Sequence, residues 1–434
     1  MKVVRLLMGL TLAAILLAQC TKNDLTDDMQ EPALKGAELS GMYTVTVENV
    51  STPYDYFESG VQPVPEGKTS PGPALPGESY QFSFHAGPQH RLSVGTMYGW
   101  SNDGFFAFED VGISLYNGDN PVTGDITSMV QLWDAGTEVN QEPGADNPHN
   151  GANVTDGMVR LMSVVNDGFD YGSVETNLKV TLSYDGNSRF TVTVDNLEES
   201  KTPISPVVWV VHYANQKPLF TEGEMDYGHG LEDVAESGNP ESLGSYLDMH
   251  SGYVSPIAPV LWVLHNKKDN PIFTKGMADY NSGLEILAET GNPEPLYQSL
   301  MTAGYETGFE AMPAGSAMNG PVFAGQKYVF TIQGEVGQSL SIATMLGASN
   351  DVFFSTGDKG IKLSNGKAGK DITHFIELYD AGTEVNEYPG AKGPVDAEED
   401  GVVQPLKDVN DGFSWPEASQ VIRVTVKQTS EDTY

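Results

Sequence analysis

The chain has 434 residues, enough for two or three domains of ordinary size. Its 23 basic and 59 acidic side chains leave a net charge of −36, which makes nucleic acid and anionic lipid poor partners. A lone cysteine excludes an internal disulfide, so stability has to come from apolar cores or bound ions.

Residues 1–19 read as an export signal: Lys2 and Arg5 form a basic start, and residues 6–17 an apolar run too short to span a bilayer comfortably. Leu17-Ala18-Gln19-Cys20 resembles the bacterial lipobox. That implies a mature protein that begins at a lipidated Cys20 and is anchored to the outer membrane of the cell envelope, with the face it occupies left open. Gln19 departs from the small residue usual there, and an ordinary secretory signal is the alternative. Losing Lys2 and Arg5 takes the net charge to −38. Residues 20–40, with Asp24, Asp27, Asp28 and Glu31 and few apolar side chains, are expected to form an acidic tether.

From residue 41 onward, short alternating segments dominate. Tyr43-Thr44-Val45-Thr46-Val47 and Phe190-Thr191-Val192-Thr193-Val194 are alternating and β-branched, and residues 80–84, 91–96, 178–182, 328–333, 339–344 and 421–426 add further strands. Gly, Asn, Asp and Pro turns between them point to an all-β dominated chain of antiparallel β-sandwiches.

Repetition sets the domain count. Ser101-Asn102-Asp103-Gly104-Phe105-Phe106 returns 248 residues later as Ser349-Asn350-Asp351-Val352-Phe353-Phe354. Asp134-Ala135-Gly136-Thr137-Glu138-Val139-Asn140 returns as Asp380-Ala381-Gly382-Thr383-Glu384-Val385-Asn386, and Asn166-Asp167-Gly168-Phe169 as Asn410-Asp411-Gly412-Phe413. Two domain copies are therefore expected, residues 41–186 and 187–428, with the turn Asp185-Gly186-Asn187 between them.

Copy two holds a second repeat. Pro206-Val207-Val208-Trp209-Val210-Val211-His212 is echoed 53 residues on by Pro259-Val260-Leu261-Trp262-Val263-Leu264-His265, in units spanning 203–248 and 256–301. Leu231, Val234 and Ala235, and again Leu284, Leu287 and Ala288, suit one face of a short helix. Asn239-Pro240 and Asn292-Pro293 then open a second helix. Each unit reads as an apolar segment followed by a helical hairpin capping a sandwich. Copy one lacks the unit, and the doubled unit suggests one for each sandwich.

These blocks carry a family resemblance. The run ending at His212, Leu219-Phe220, Gly230-Leu231-Glu232 before Ala235-Glu236, the Ser-Asn-Asp blocks and the Asp-Ala-Gly-Thr-Glu blocks resemble the spondin N-terminal domain family over most of residues 40–428. The resemblance implies two extracellular C2-like sandwiches, calcium held by acidic loops, and a role in adhesion to matrix or cell surface. Ser101-Asn102-Asp103-Gly104-Phe105 lacks the proline and tryptophan usual in that family, and Glu138 and Glu384 stand where it carries Asp.

Calcium also has a chemical rationale. Asp103, Asp134 and Glu138 with Asn102, and Asp351, Asp380 and Glu384 with Asn350, offer three carboxylates and one amide oxygen apiece, donors that a hard cation prefers. Without a cation such a cluster repels itself. The plainer reading is that these residues make Asx-turns while Phe105, Phe106, Phe353 and Phe354 fill cores, and that the acidic excess serves solubility. Asp167 and Asp411 read as hairpin-turn residues, and His212 and His265 as buried, hydrogen-bonded histidines. No His-Glu-x-x-His, Gly-x-Ser-x-Gly or phosphate-loop pattern is present.

The expectation is a non-enzymatic, lipid-anchored binding or adhesion protein with calcium as cofactor. Its expected partners are an extracellular matrix protein or surface glycan, and the membrane through its anchor, with no nucleic acid. A structural envelope component without a ligand is the alternative, and a glycan-active enzyme a distant one.

Overall fold

The computed structural model describes residues 40–266, 270–279, 281–365, 369–392 and 398–429. Cys20, residues 1–19 and all but Ser40 of the expected tether lie outside the described residues. Strand makes up 35% and helix 14%, so the fold is all-β dominated.

The strands form two similar sandwiches. In the first, a four-stranded sheet runs in the order Ser79–His85, Arg189–Asn196, Leu178–Gly186, Gly124–Asp125. Its partner sheet runs Arg160–Leu161, Gln131–Asp134, Gly104–Ala107, His90–Met97, Val207–Tyr213, Glu58–Gln62. In the second, the small sheet runs Lys327–Glu335, Ser40–Asn49, Ile422–Thr429, Lys370–Asp371. Its partner runs Glu306–Glu310, Val260–His265, Ser339–Met345, Val352–Ser355, Glu377–Asp380, Gln404–Pro405. All these ladders are antiparallel.

The sandwiches do not follow the sequence halves, which corrects the partition into residues 41–186 and 187–428. Ser40–Asn49 leaves the first half and sits centrally in the second sandwich, with Val45 opposite Phe330 on one side and Val426 on the other. Arg189–Asn196 and Val207–Tyr213 leave the second half and complete the first sandwich. One sandwich is thus built from residues 54–251 and inserted into a loop of the other, which comprises residues 40–53 and 252–429. The physical reason is interchangeability: Tyr43, Val45 and Val47 bury the same face that Phe190, Val192 and Val194 bury. Asn49 and Asn196 also lock the two strand ends alike. Asn49 Nδ2 donates to Ser255 O and Val322 O at 3.0 Å, and Asn196 Nδ2 to Thr202 O and Ala74 O at 2.9 Å.

Each Trp-His strand is apolar throughout because both of its faces are covered. Val207, Trp209 and Val211 face the core between the sheets, where Trp209 stacks on Phe82 at 5.5 Å. Val208 and Val210 face a second core beneath the helices Leu231–Ser237 and Glu241–His250, with Phe105, Trp133 and Phe220. Leu261 and Val263 do the same under Leu284–Thr290 and Glu294–Thr302. The helical hairpins are therefore a third layer, laid flat on the outer face of the larger sheet. Asn239 and Asn292 open the second helix of each pair, their Oδ1 atoms accepting the Glu241 and Glu294 amides at 3.1 Å.

The sandwiches also touch directly. Tyr388 of the second stacks on His85 of the first with centroids 3.6 Å apart, and Ala391 is buried in the first core.

Candidate metal centres

At one end of each larger sheet, the Asp-Ala-Gly-Thr-Glu block leaves its strand in a tight turn. Asp134 Oδ1 accepts the Gly136 amide at 2.7 Å, and Asp380 Oδ1 accepts the Gly382 amide at 2.6 Å, so both are Asx-turns. Glycine is required, because φ is +72° at Gly136 and a Cβ there would lie 2.7 Å from Met158 backbone atoms. The turn aims two amides at the neighbouring loop: Asp103 Oδ2 accepts Thr137 N at 2.8 Å and Glu138 N at 3.0 Å. Asp351 Oδ2 accepts Thr383 N at 2.8 Å and Glu384 N at 3.1 Å.

The other oxygen of each aspartate is the unusual feature. Asp103 and Asp351 are 0% exposed, yet Asp103 Oδ1 and Asp351 Oδ1 have no hydrogen-bond partner among the described residues. Burial, reinforced by the Asp134 carboxylate, pushes the Asp103 carboxyl up to about 6. Burial and then Asp351 push Asp380 up to about 7, and burial raises Asp351. Each site is a pair of like-charged carboxylates in a desolvated corner, a geometry that a bound cation or a proton relieves.

The amide residues differ between the sites. Asn102 Nδ2 donates to Glu138 Oε2 and Gln141 Oε1 at 3.1 Å, while its Oδ1 accepts Gln141 N at 3.0 Å and Asn147 Nδ2 at 3.2 Å. Asn350 Oδ1 is buried without a partner among the described residues. The structure thus brings together Asn102, Asp103, Asp134 and Glu138 in the first site, and Asp351, Asp380 and the Glu384 amide in the second, with Asn350 beside Asp351 in the chain. Among the described residues, no three Asp, Glu, His or Cys side chains are arranged as a group that could hold a metal ion. The donor chemistry is all-oxygen and anionic, which matches calcium.

Sequence reasoning missed two kinds of neighbour. Glu236 and Glu289, one from each helical unit, face the sites: burial raises both, Glu236 feels Glu138, and Glu289 feels Asp351. Their 53-residue spacing was the available signal. Arg160 donates to Asp134 Oδ2 at 3.2 Å, from a strand with no motif to mark it.

Asp167 and Asp411 accept the Phe169 and Phe413 amides at 2.9 Å and pin Tyr171 and Trp415, a turn-forming role. His212 and His265 meet Ser93 Oγ and Ser341 Oγ through Nε2 at 2.9 Å, under the Gly112 and Gly360 turns. No helix among the described residues is long and apolar enough to cross a membrane. Set against protein-family models and curated proteins, the chain matches none, so the family resemblance rests on its motif residues alone.

Proposed function

We propose that the chain is a divergent spondin-like binding protein, tethered to the cell envelope through Cys20, whose two C2-like sandwiches use calcium to fix the loops that meet a matrix protein or surface glycan. The observation that carries this reading is the buried Oδ1 of Asp103, unpartnered among the described residues, repeated at Asp351. A bound divalent cation would supply the positive charge that, among the described residues, the second carboxylate pair lacks and the first receives only from the half-exposed Arg160. Asp103 and Asp351 would hold it from one loop and Asp134 and Asp380 from the other, while the Thr137, Glu138, Thr383 and Glu384 amides keep the loops in register. The loop end of each sandwich is thereby stiffened as a contact surface, with no nucleophile or acid-base pair demanded of it.

Melting the full chain in calcium and in a chelator tests the ion. Calcium at a hundred times its Kd is expected to add about 2.7 kcal/mol of stability. Superimposed curves would remove calcium from the proposal. Calcium-dependent retention on a matrix-protein and glycan array, abolished by chelator, tests the binding role.

A further inference from the structure

We propose that the two sites are unequal, the second being the one that loads a divalent hard cation and the first being held weak by Arg160. This rests on the calcium reading and deepens it. In the first sandwich the strand residue opposite Asp134 is Arg160, and its guanidinium donates to Asp134 Oδ2 at 3.2 Å. In the second sandwich the residue opposite Asp380 is Gln404, which is neutral. Asp134 and Asp380 otherwise match closely, each accepting the glycine amide of its turn and an asparagine Nδ2, from Asn140 at 2.9 Å and from Asn386 at 3.0 Å.

The amide oxygens point the same way. Asn102 Oδ1 is occupied by two donors, Gln141 N and Asn147 Nδ2. In the second copy the residue matching Asn147 is a glycine, which has no side-chain amide to donate. Asn350 Oδ1, in a residue only 2% exposed, is left unpartnered among the described residues, as is Oδ1 of Asp351, the next residue in the chain. Among the described residues, the loop of the second site therefore carries two buried oxygens without a hydrogen-bond partner, and no basic side chain is paired with Asp380. In the first, a fixed positive charge already sits on Asp134 and repels a second one. The Arg160 side chain is 51% exposed, so it can swing aside and weakens the first site rather than closing it.

Calcium titrated into the full chain by calorimetry, with terbium luminescence as a second readout, should give one tight site and one at least tenfold weaker. Arg160→Gln should raise the weak site toward the tight one, giving two comparable sites. Gln404→Arg should weaken the tight site by tenfold or more, and Asp351→Asn should remove it. Two equal sites in the wild type, indifferent to Arg160→Gln and Gln404→Arg, would overturn the inequality and leave the calcium reading standing. No binding by the wild type or by Arg160→Gln would overturn both. Should Arg160→Gln fail to fold, the Gln404→Arg and Asp351→Asn affinities decide the matter.

Discussion

At the scale of single residues, His90 and its counterpart Gln338 show how one local job is done by two chemistries. His90 Nδ1 accepts the Gly87 amide at 2.9 Å, and Gln338 Oε1 accepts the Glu335 amide at 3.0 Å, each three residues back. Only the histidine titrates. Burial, with His212 adding repulsion, pushes the His90 imidazole down to about 4, and Arg91 stands beside His212. A folded pKa below the unfolded value of about 6.5 contributes stability that is fully present above 6.5 and is lost as the pH falls through 4. His90→Gln should keep the hydrogen bond and abolish up to about 3 kcal/mol of acid-dependent loss. It should also cost about 1 kcal/mol at neutral pH, because the 4.4 Å stack on Phe57 goes. Denaturant unfolding between pH 7 and 4 checks this; an unchanged pH slope in the variant would show that His90 does not set it. The aspartates of the candidate sites were marked in the sequence for a related reason. They repeat as contiguous short blocks, and a buried acid kept twice in one chain needs a local explanation. Arg160 and Gln404 were not legible, since a residue 26 positions from Asp134 becomes its neighbour only through strand pairing.

At the scale of elements, period and propensity carried most of the reading. Alternation in residues 43–47 and 190–194 gave strands, and apolar spacing at Leu231, Val234 and Ala235 gave a helix. The Trp-His runs hid their strand character, because a segment buried on both faces loses its alternation. They also hid a packing demand on their neighbours. Trp209 lies opposite Gly60 and Trp262 opposite Gly308, and a Cβ on either glycine would come within 2.6 Å or 2.8 Å of the indole. The glycines make room for the rings that fill the space between sheets. Gly60→Ala should therefore destabilise by about 1–3 kcal/mol through overpacking, and Gly308→Ala by a similar amount. Urea unfolding of the two variants measures this, and a neutral or stabilised Gly60→Ala would mean the indole has slack that the geometry does not show.

At the scale of the whole molecule, local pattern could not say which sheet a strand joins, because Ser40–Asn49 and Arg189–Asn196 offer the same buried face and the same terminal asparagine. Which strand lies where is decided by connection. The chain enters the inserted sandwich near residue 54 and leaves near 251, and these ends adjoin: the Asp55 and Tyr56 amides donate to His250 O at 3.0 and 2.9 Å, and Tyr56 bridges Ser251. Adjacent ends are what an insertable domain requires. Residues 54–251 contain every strand of both sheets of that sandwich, together with its helical layer. Residues 41–186 lack Arg189–Asn196 and Val207–Tyr213, each of which pairs on both edges in its sheet. The excised fragment 54–251 should therefore unfold cooperatively on its own, somewhat destabilised by losing the Tyr388 stack on His85. Fragments 41–186 and 187–428 should show no cooperative transition, since one lacks two interior strands and the other the central Ser40–Asn49. Thermal melts followed by circular dichroism on the three fragments separate these outcomes. A sharp transition in 41–186 with none in 54–251 would mean that each sequence half folds on itself and that the exchanged strands are not what holds the sandwiches together.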